Sequence, residues 1–142
     1  MGAINIHSPW FRTVLCGAVA GGVWTILSVI VLILWGDELL RIVDRRTGPS
    51  SAGDLWLMVS NIAGAVWALW LYTLLRGRYA PGARMAALAG FSWWLLATLQ
   101  SGKWMTLLGV NAATVAPLVP ATLLATVVST VAGAWLWERA RN

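Results

Sequence analysis

The side chains that could do chemistry are few, and their spacing serves them badly. The chain holds a single histidine, His7, and a single cysteine, Cys16. No Cys or His cluster can therefore hold a metal, no imidazole pair can ligate a haem, and no internal disulfide can form. Acids number five, namely Asp37, Glu38, Asp44, Asp54 and Glu138. Three of them are interleaved with Arg41, Arg45 and Arg46, a pattern that reads as a salt-bridged surface rather than a cation site. Ser28, Ser92 and Ser129 have no base to activate them. Acid–base catalysis and proton carriage both lack the carboxylates they need. Neither an enzyme, a cofactor nor a resident metal is expected.

What remains is binding by aromatic and neutral polar groups. The chain has 11 tryptophans. Trp10, Trp35, Trp56, Trp104, Trp135 and Trp137 lie near the ends of apolar stretches, where an amphipathic ring suits a membrane interface. Trp24, Trp67, Trp70, Trp93 and Trp94 lie nearer the middle, where an indole N–H needs an acceptor. Together with Asn61, Gln100 and Thr126, the residues Trp24 and Trp93 define a candidate polar and aromatic pocket. Cross-helix hydrogen bonding and bulk packing are the commoner uses of such residues. Arg76, Arg78 and Arg84 are candidate contacts for lipid headgroups, although setting the topology is enough to explain them.

The elements that must position these groups are long and apolar. Hydrophobic residues make up 59% of the chain and charged residues 11%. Four stretches, about 14–35, 55–75, 85–104 and 117–137, lack a central ionisable residue, and roughly 20 helical residues cross a bilayer core. Each has a small or polar stripe at helical period. The stripes are Gly17, Gly21, Trp24, Ser28 and Trp35; Asn61, Gly64, Ala65, Ala68 and Tyr72; Ala86, Gly90, Trp93, Ala97 and Gln100; and Thr122, Thr126, Ser129 and Gly133, flanked by Thr130. Small residues three or four apart let helices approach closely in lipid. The expected fold is all-α, an integral membrane four-helix bundle forming one domain. Leu88, Leu95 and Leu99 should face outward. Gly17-x-x-x-Gly21 should serve packing within the chain, with dimerisation as the alternative.

Connections and charge set the topology. Asp37–Arg46 suits a short interfacial helix, and 47–53 a turn-rich linker ending at Asp54 as N-cap. Pro81-Gly82 marks a tight turn that makes its flanking helices antiparallel neighbours. Residues 105–116 form a weakly apolar connection. Pro117 suits the first turn of the last helix, and Pro120 belongs to that turn or kinks the helix. Arg12, Arg76, Arg78, Arg84, Arg139 and Arg141 fall on one side; Arg41, Arg45, Arg46 and Lys103 fall on the other. Six basic residues against four place both termini in the cytoplasm. The net charge of +5 reports this orientation and not nucleic-acid binding. The first stretch is too long for a signal-peptide core and reads as a retained helix. Arginine in preference to lysine, with abundant Ala, Gly and Trp, points to a bacterial source.

Three segments carry a resemblance. The run Leu71-Tyr-Thr-Leu-Leu-Arg-Gly-Arg-Tyr-Ala-Pro-Gly-Ala-Arg-Met-Ala-Ala-Leu-Ala-Gly90, the opening Gly17–Trp24 and the closing Ala132–Glu138 resemble small four-span bacterial membrane proteins of unassigned function. The resemblance covers about a third of the chain. It implies a bundle in the bacterial inner membrane and transfers no functional residue. Sparse polar chemistry and abundant packing stripes favour an accessory subunit of a larger membrane complex or a self-associating bundle. The alternative is an oligomeric transporter or channel for a small molecule or ion. The lipid bilayer and other membrane subunits, or further copies of the chain, are the expected partners.

Overall fold

A computed structural model describes residues 8–37, 41, 51–107 and 109–141, with backbone alone for residues 51–54, 57 and 104. The described residues form four long helices, α1 (Pro9–Trp35), α2 (Ser51–Arg76), α3 (Ala83–Leu107) and α5 (Leu118–Arg139), and one short helix, α4 (Ala112–Val115). Pro9–Trp35, Met58–Arg76 and Ala112–Arg139 are long and apolar enough to cross a membrane. Helix α3 matches them in length at 25 residues, but Arg84, Gln100, Ser101 and Lys103 dilute its hydropathy.

Local chemistry explains where the helices begin and turn. Helix α1 starts at Pro9, ahead of the expected Val14, because Ser8 caps it: its Oγ accepts from Phe11 N at 3.1 Å, and Pro9 fits the first position. Helix α2 is already helical at Ser51, so residues 51–53 are not linker and Asp54 is not the N-cap. Helix α3 runs past the expected residue 104 to Leu107. Gly109, at φ 64°, then reverses the chain in a conformation that side chains avoid. Asn111 caps α4 by accepting from Ala113 N at 3.0 Å. Pro117 sits at the N-cap of α5. Pro120 falls in the first turn, where a missing N–H costs no intrahelical bond. Asp37 and Arg41 are helical and form an exposed ion pair at 2.7 Å. The rest of the expected interfacial helix, with Glu38, Asp44, Arg45 and Arg46, lies outside the described residues, as does His7.

The bundle closes in chain order. Helix α1 packs on α2, α2 on α3, α3 on α5 and α5 on α1, with α2 and α5 also touching across the short diagonal. The small-residue stripes set these seams. A Cβ on Gly17 would stand 2.7 Å from Val66 Cα, and one on Gly21 2.8 Å from Ile62 Cα. The Gly17-x-x-x-Gly21 motif is thus buried against α2 of the same chain. Gly133 plays that part for α5 on α1 against Ala20, and Gly90 for α3 on α5 against Thr130. Asn61, Gly64, Ala65, Ala68 and Tyr72 are all buried, whereas Leu88, Leu95 and Leu99 face outward as expected.

Candidate functional site: a tryptophan-floored cavity

Helices α1 and α3 stand on the long diagonal, and two indoles fill the space between them. Trp24 of α1 and Trp93 of α3 meet edge to face, with ring centroids 4.9 Å apart and planes at 74°. That geometry is worth about 0.5–1.5 kcal/mol beyond the area it buries. Gly64 of α2 makes room for the pair, because a Cβ there would overlap the Trp93 ring. The ring therefore packs directly against the α2 backbone at Gly64.

Below this plug the bundle is tightly packed around Leu69, Tyr72, Ala86, Ala89, Ala134 and Trp137. Above it the helices leave a cavity of about 350 Å³. Trp24 forms the floor, Trp94 a wall, and Val31, Leu118 and Met105 close the far side. Asn61, Thr126 and Ser28 supply polar atoms at the rim of the floor. Ser101 and Gly102 of α3 are the exposed members of the lining and mark its mouth.

Interior polar side chains repeat one device four times, three times around the plug and once toward the other end of the bundle. A threonine hydroxyl donates to a carbonyl of its own helix and accepts an N–H from another helix. Thr126 Oγ1 donates to Thr122 O at 2.7 Å and accepts from Trp24 Nε1 at 2.7 Å. Thr122 Oγ1 donates to Val119 O at 3.0 Å and accepts from Trp94 Nε1 at 3.3 Å. Thr25 Oγ1 donates to Gly21 O at 2.9 Å and accepts from Asn61 Nδ2 at 3.3 Å. Thr13 Oγ1 donates to Pro9 O at 2.9 Å and accepts from Trp137 Nε1 at 3.1 Å. Every hydroxyl is used in both senses, so each junction satisfies two buried polar groups with one side chain. Thr126→Val should therefore destabilise the bundle by about 1–2 kcal/mol, since it leaves the Trp24 N–H without its acceptor. Thr126→Ser should cost much less, and chemical unfolding in mixed micelles separates the two.

Among the described residues, one buried hydroxyl has no partner at all. Ser28 Oγ lines the cavity with no hydrogen-bond partner.

A second cluster gathers at the opposite end of the bundle. Glu138 accepts from Tyr72 Oη at 2.9 Å and pairs with Arg76 Nε at 3.3 Å and Arg141 Nε at 3.4 Å. The Arg76 guanidinium also lies 4.8 Å from the centre of the Trp137 ring, and that of Arg12 lies 5.6 Å from it. Trp137 is only 6% exposed, so this residue, expected at the interface, is a buried staple among three helices. Trp10, Trp35, Trp56 and Trp135 do lie on the outer surface, so Trp35 is not part of the inward stripe of α1, which ends with Ser28.

No family model matches this chain, and no curated protein or solved structure matches it.

The candidate residues now divide. Trp24, Asn61 and Thr126 line the cavity, and Trp93 backs its floor. Gln100 does not join them; it is exposed. The inward face of α3 steps from Trp94 through Ala97 and Thr98 to Ser101 and Gly102, and Gln100 falls just off it. Arg76 is tied to Glu138 and Trp137, with 15% of its side chain exposed, whereas Arg78 and Arg84 lie on the surface. Trp94, expected as a mid-membrane indole, is not among the sequence-derived pocket residues, and the Glu138 cluster is not foreseen either. A signal for Trp94 was present in the Trp93-Trp94 pair: adjacent rings on one helix point to different neighbours, here α2 and α5. For Glu138 it was the lone acid of the last helix, which shares a side with Tyr72 and Arg76, one turn apart. Among the described residues, no three His, Cys, Asp or Glu side chains come together.

Proposed function

We propose that this chain is a non-catalytic accessory subunit of a larger membrane complex. It sits in a bacterial inner membrane by four spans, with both termini in the cytoplasm. The observation that carries this reading is the fourfold threonine junction. The interior polar groups that a permeation path would need are engaged with one another: Asn61 with Thr25, Trp24 with Thr126, Trp94 with Thr122. The small-residue motif that could drive dimerisation is buried inside the chain. The outer faces are left as Ile, Leu, Val and Trp, including Trp67 at 47% exposure. Such faces suit lipid or the flank of another membrane protein.

Two observations support the spans and their orientation. Helix α3 is as long as its neighbours and packs between α2 and α5. Arg12, Arg76, Arg139 and Arg141 collect at one end of the bundle, around Trp135, Trp137 and Glu138. That end is the cytoplasmic one by the excess of basic residues.

The competing reading is an oligomeric transporter or channel, in which Asn61 and its neighbours line a path. Purified protein in liposomes is expected to pass neither potassium nor glycerol faster than empty vesicles do. Flux through the wild type that Asn61→Leu abolishes, in a variant with unchanged unfolding, would overturn the accessory reading.

A further inference from the structure

We propose that the cavity above the tryptophan plug is a binding site for a small, uncharged aromatic molecule bearing one hydrogen-bonding group. The proposal is independent of the accessory role. Four properties of the cavity point to this chemistry. Its volume, about 350 Å³, lies in the range of small-molecule sites and is more than twice that of an apolar cavity that takes up benzene, so two fused rings fit. None of its described lining residues is charged, which favours an uncharged ligand.

Two indoles, Trp24 and Trp94, form its floor and wall. Their N–H groups are already engaged with Thr126 and Thr122. They therefore present ring faces and edges, which favour a flat aromatic guest stacked or packed edge-on. The fourth property is Ser28. Its hydroxyl is buried without a partner in a bundle that otherwise pairs its interior hydroxyls. A buried unsatisfied polar group calls for a partner, and a single hydroxyl or carbonyl on the guest supplies it.

The mouth is equally specific. Gly102 lies at the exposed edge of the lining, and a Cβ built on it meets nothing within 4 Å. A larger side chain there has room to fold across the opening without disturbing the helix seams.

The test uses 2-naphthol, which has two fused rings and one hydroxyl, with the full chain in lipid nanodiscs. Equilibrium dialysis against empty nanodiscs removes the part that merely partitions into lipid. The expected result is a saturable component of one naphthol per chain. Ser28→Ala should weaken it about fivefold, the loss of one neutral hydrogen bond. Gly102→Leu should abolish it while leaving the unfolding transition in place. Decahydro-2-naphthol, which keeps the hydroxyl and loses the aromaticity, should bind at least tenfold more weakly. Three results would each overturn the proposal: no saturable component, a component that both variants leave unchanged, or a tightly held phospholipid that naphthol does not displace. The last would assign the cavity to an acyl chain.

Discussion

Gly64→Val is expected to destabilise the bundle by about 3 kcal/mol, at the upper end of what overpacking costs. The Trp93 ring occupies the space that any Cβ at position 64 would need. Its obstacle is a rigid ring held edge-on by Trp24, not the end of a flexible side chain. Either Trp93 leaves the plug, or α2 and α3 move apart. Both outcomes disturb the floor of the cavity, so naphthol binding should fall together with stability. The test is a double-mutant cycle with Trp93→Ala, followed by unfolding in mixed micelles. If the clash is the cause, the double variant recovers much of the loss, and the two substitutions are far from additive. Additive costs would mean that the indole does not lie on Gly64.

Glu138→Leu should cost about 2–3 kcal/mol, for a different reason. Removing the carboxylate takes the acceptor from Tyr72, whose ring is buried, and the counter-charge from Arg76. Breaking a largely buried pair leaves an uncompensated charge, which is worse than having no charges at all. At 25% exposure Glu138 still sees some solvent, which holds the figure below that of a fully buried pair. The companion variant Glu138→Leu/Arg76→Leu should regain most of the lost stability, because no orphan charge then remains. Glu138→Gln should fall between, since an amide oxygen still accepts from Tyr72. If the double variant is no better than the single one, the cluster acts through the Arg76–Trp137 contact and not through the ion pair.

Much of this architecture was legible in the sequence, and the reasons are physical. Helical period identifies which residues share a face, so Gly17 and Gly21, Asn61 to Tyr72, and Thr122 to Gly133 could be placed inward before any coordinates. Period does not say which helix stands opposite. That Gly64 faces Trp93, or that Trp137 reaches Thr13, depends on the order and tilt of packed helices. Gln100 shows the limit. A stripe extended from Ala86 by steps of three or four drifts by a residue within four turns, and the structure continues it at Ser101. Hydrophobicity alone puts the start of α1 at Val14, whereas the capping signal in Ser8-Pro9 puts it where the structure does. The cavity could not be read at all. It is the space left where two tryptophans hold the helices apart, and no residue type encodes a void.

The accessory role is tested most directly by native mass spectrometry of this protein, gently extracted from its own membrane at its natural abundance. The account predicts that it is recovered with one or more larger membrane subunits in fixed stoichiometry, and that Asn61→Leu leaves that stoichiometry unchanged. Recovery solely as a homo-oligomer, with solute flux that depends on Asn61, would contradict it and make the interior a path instead of a set of junctions.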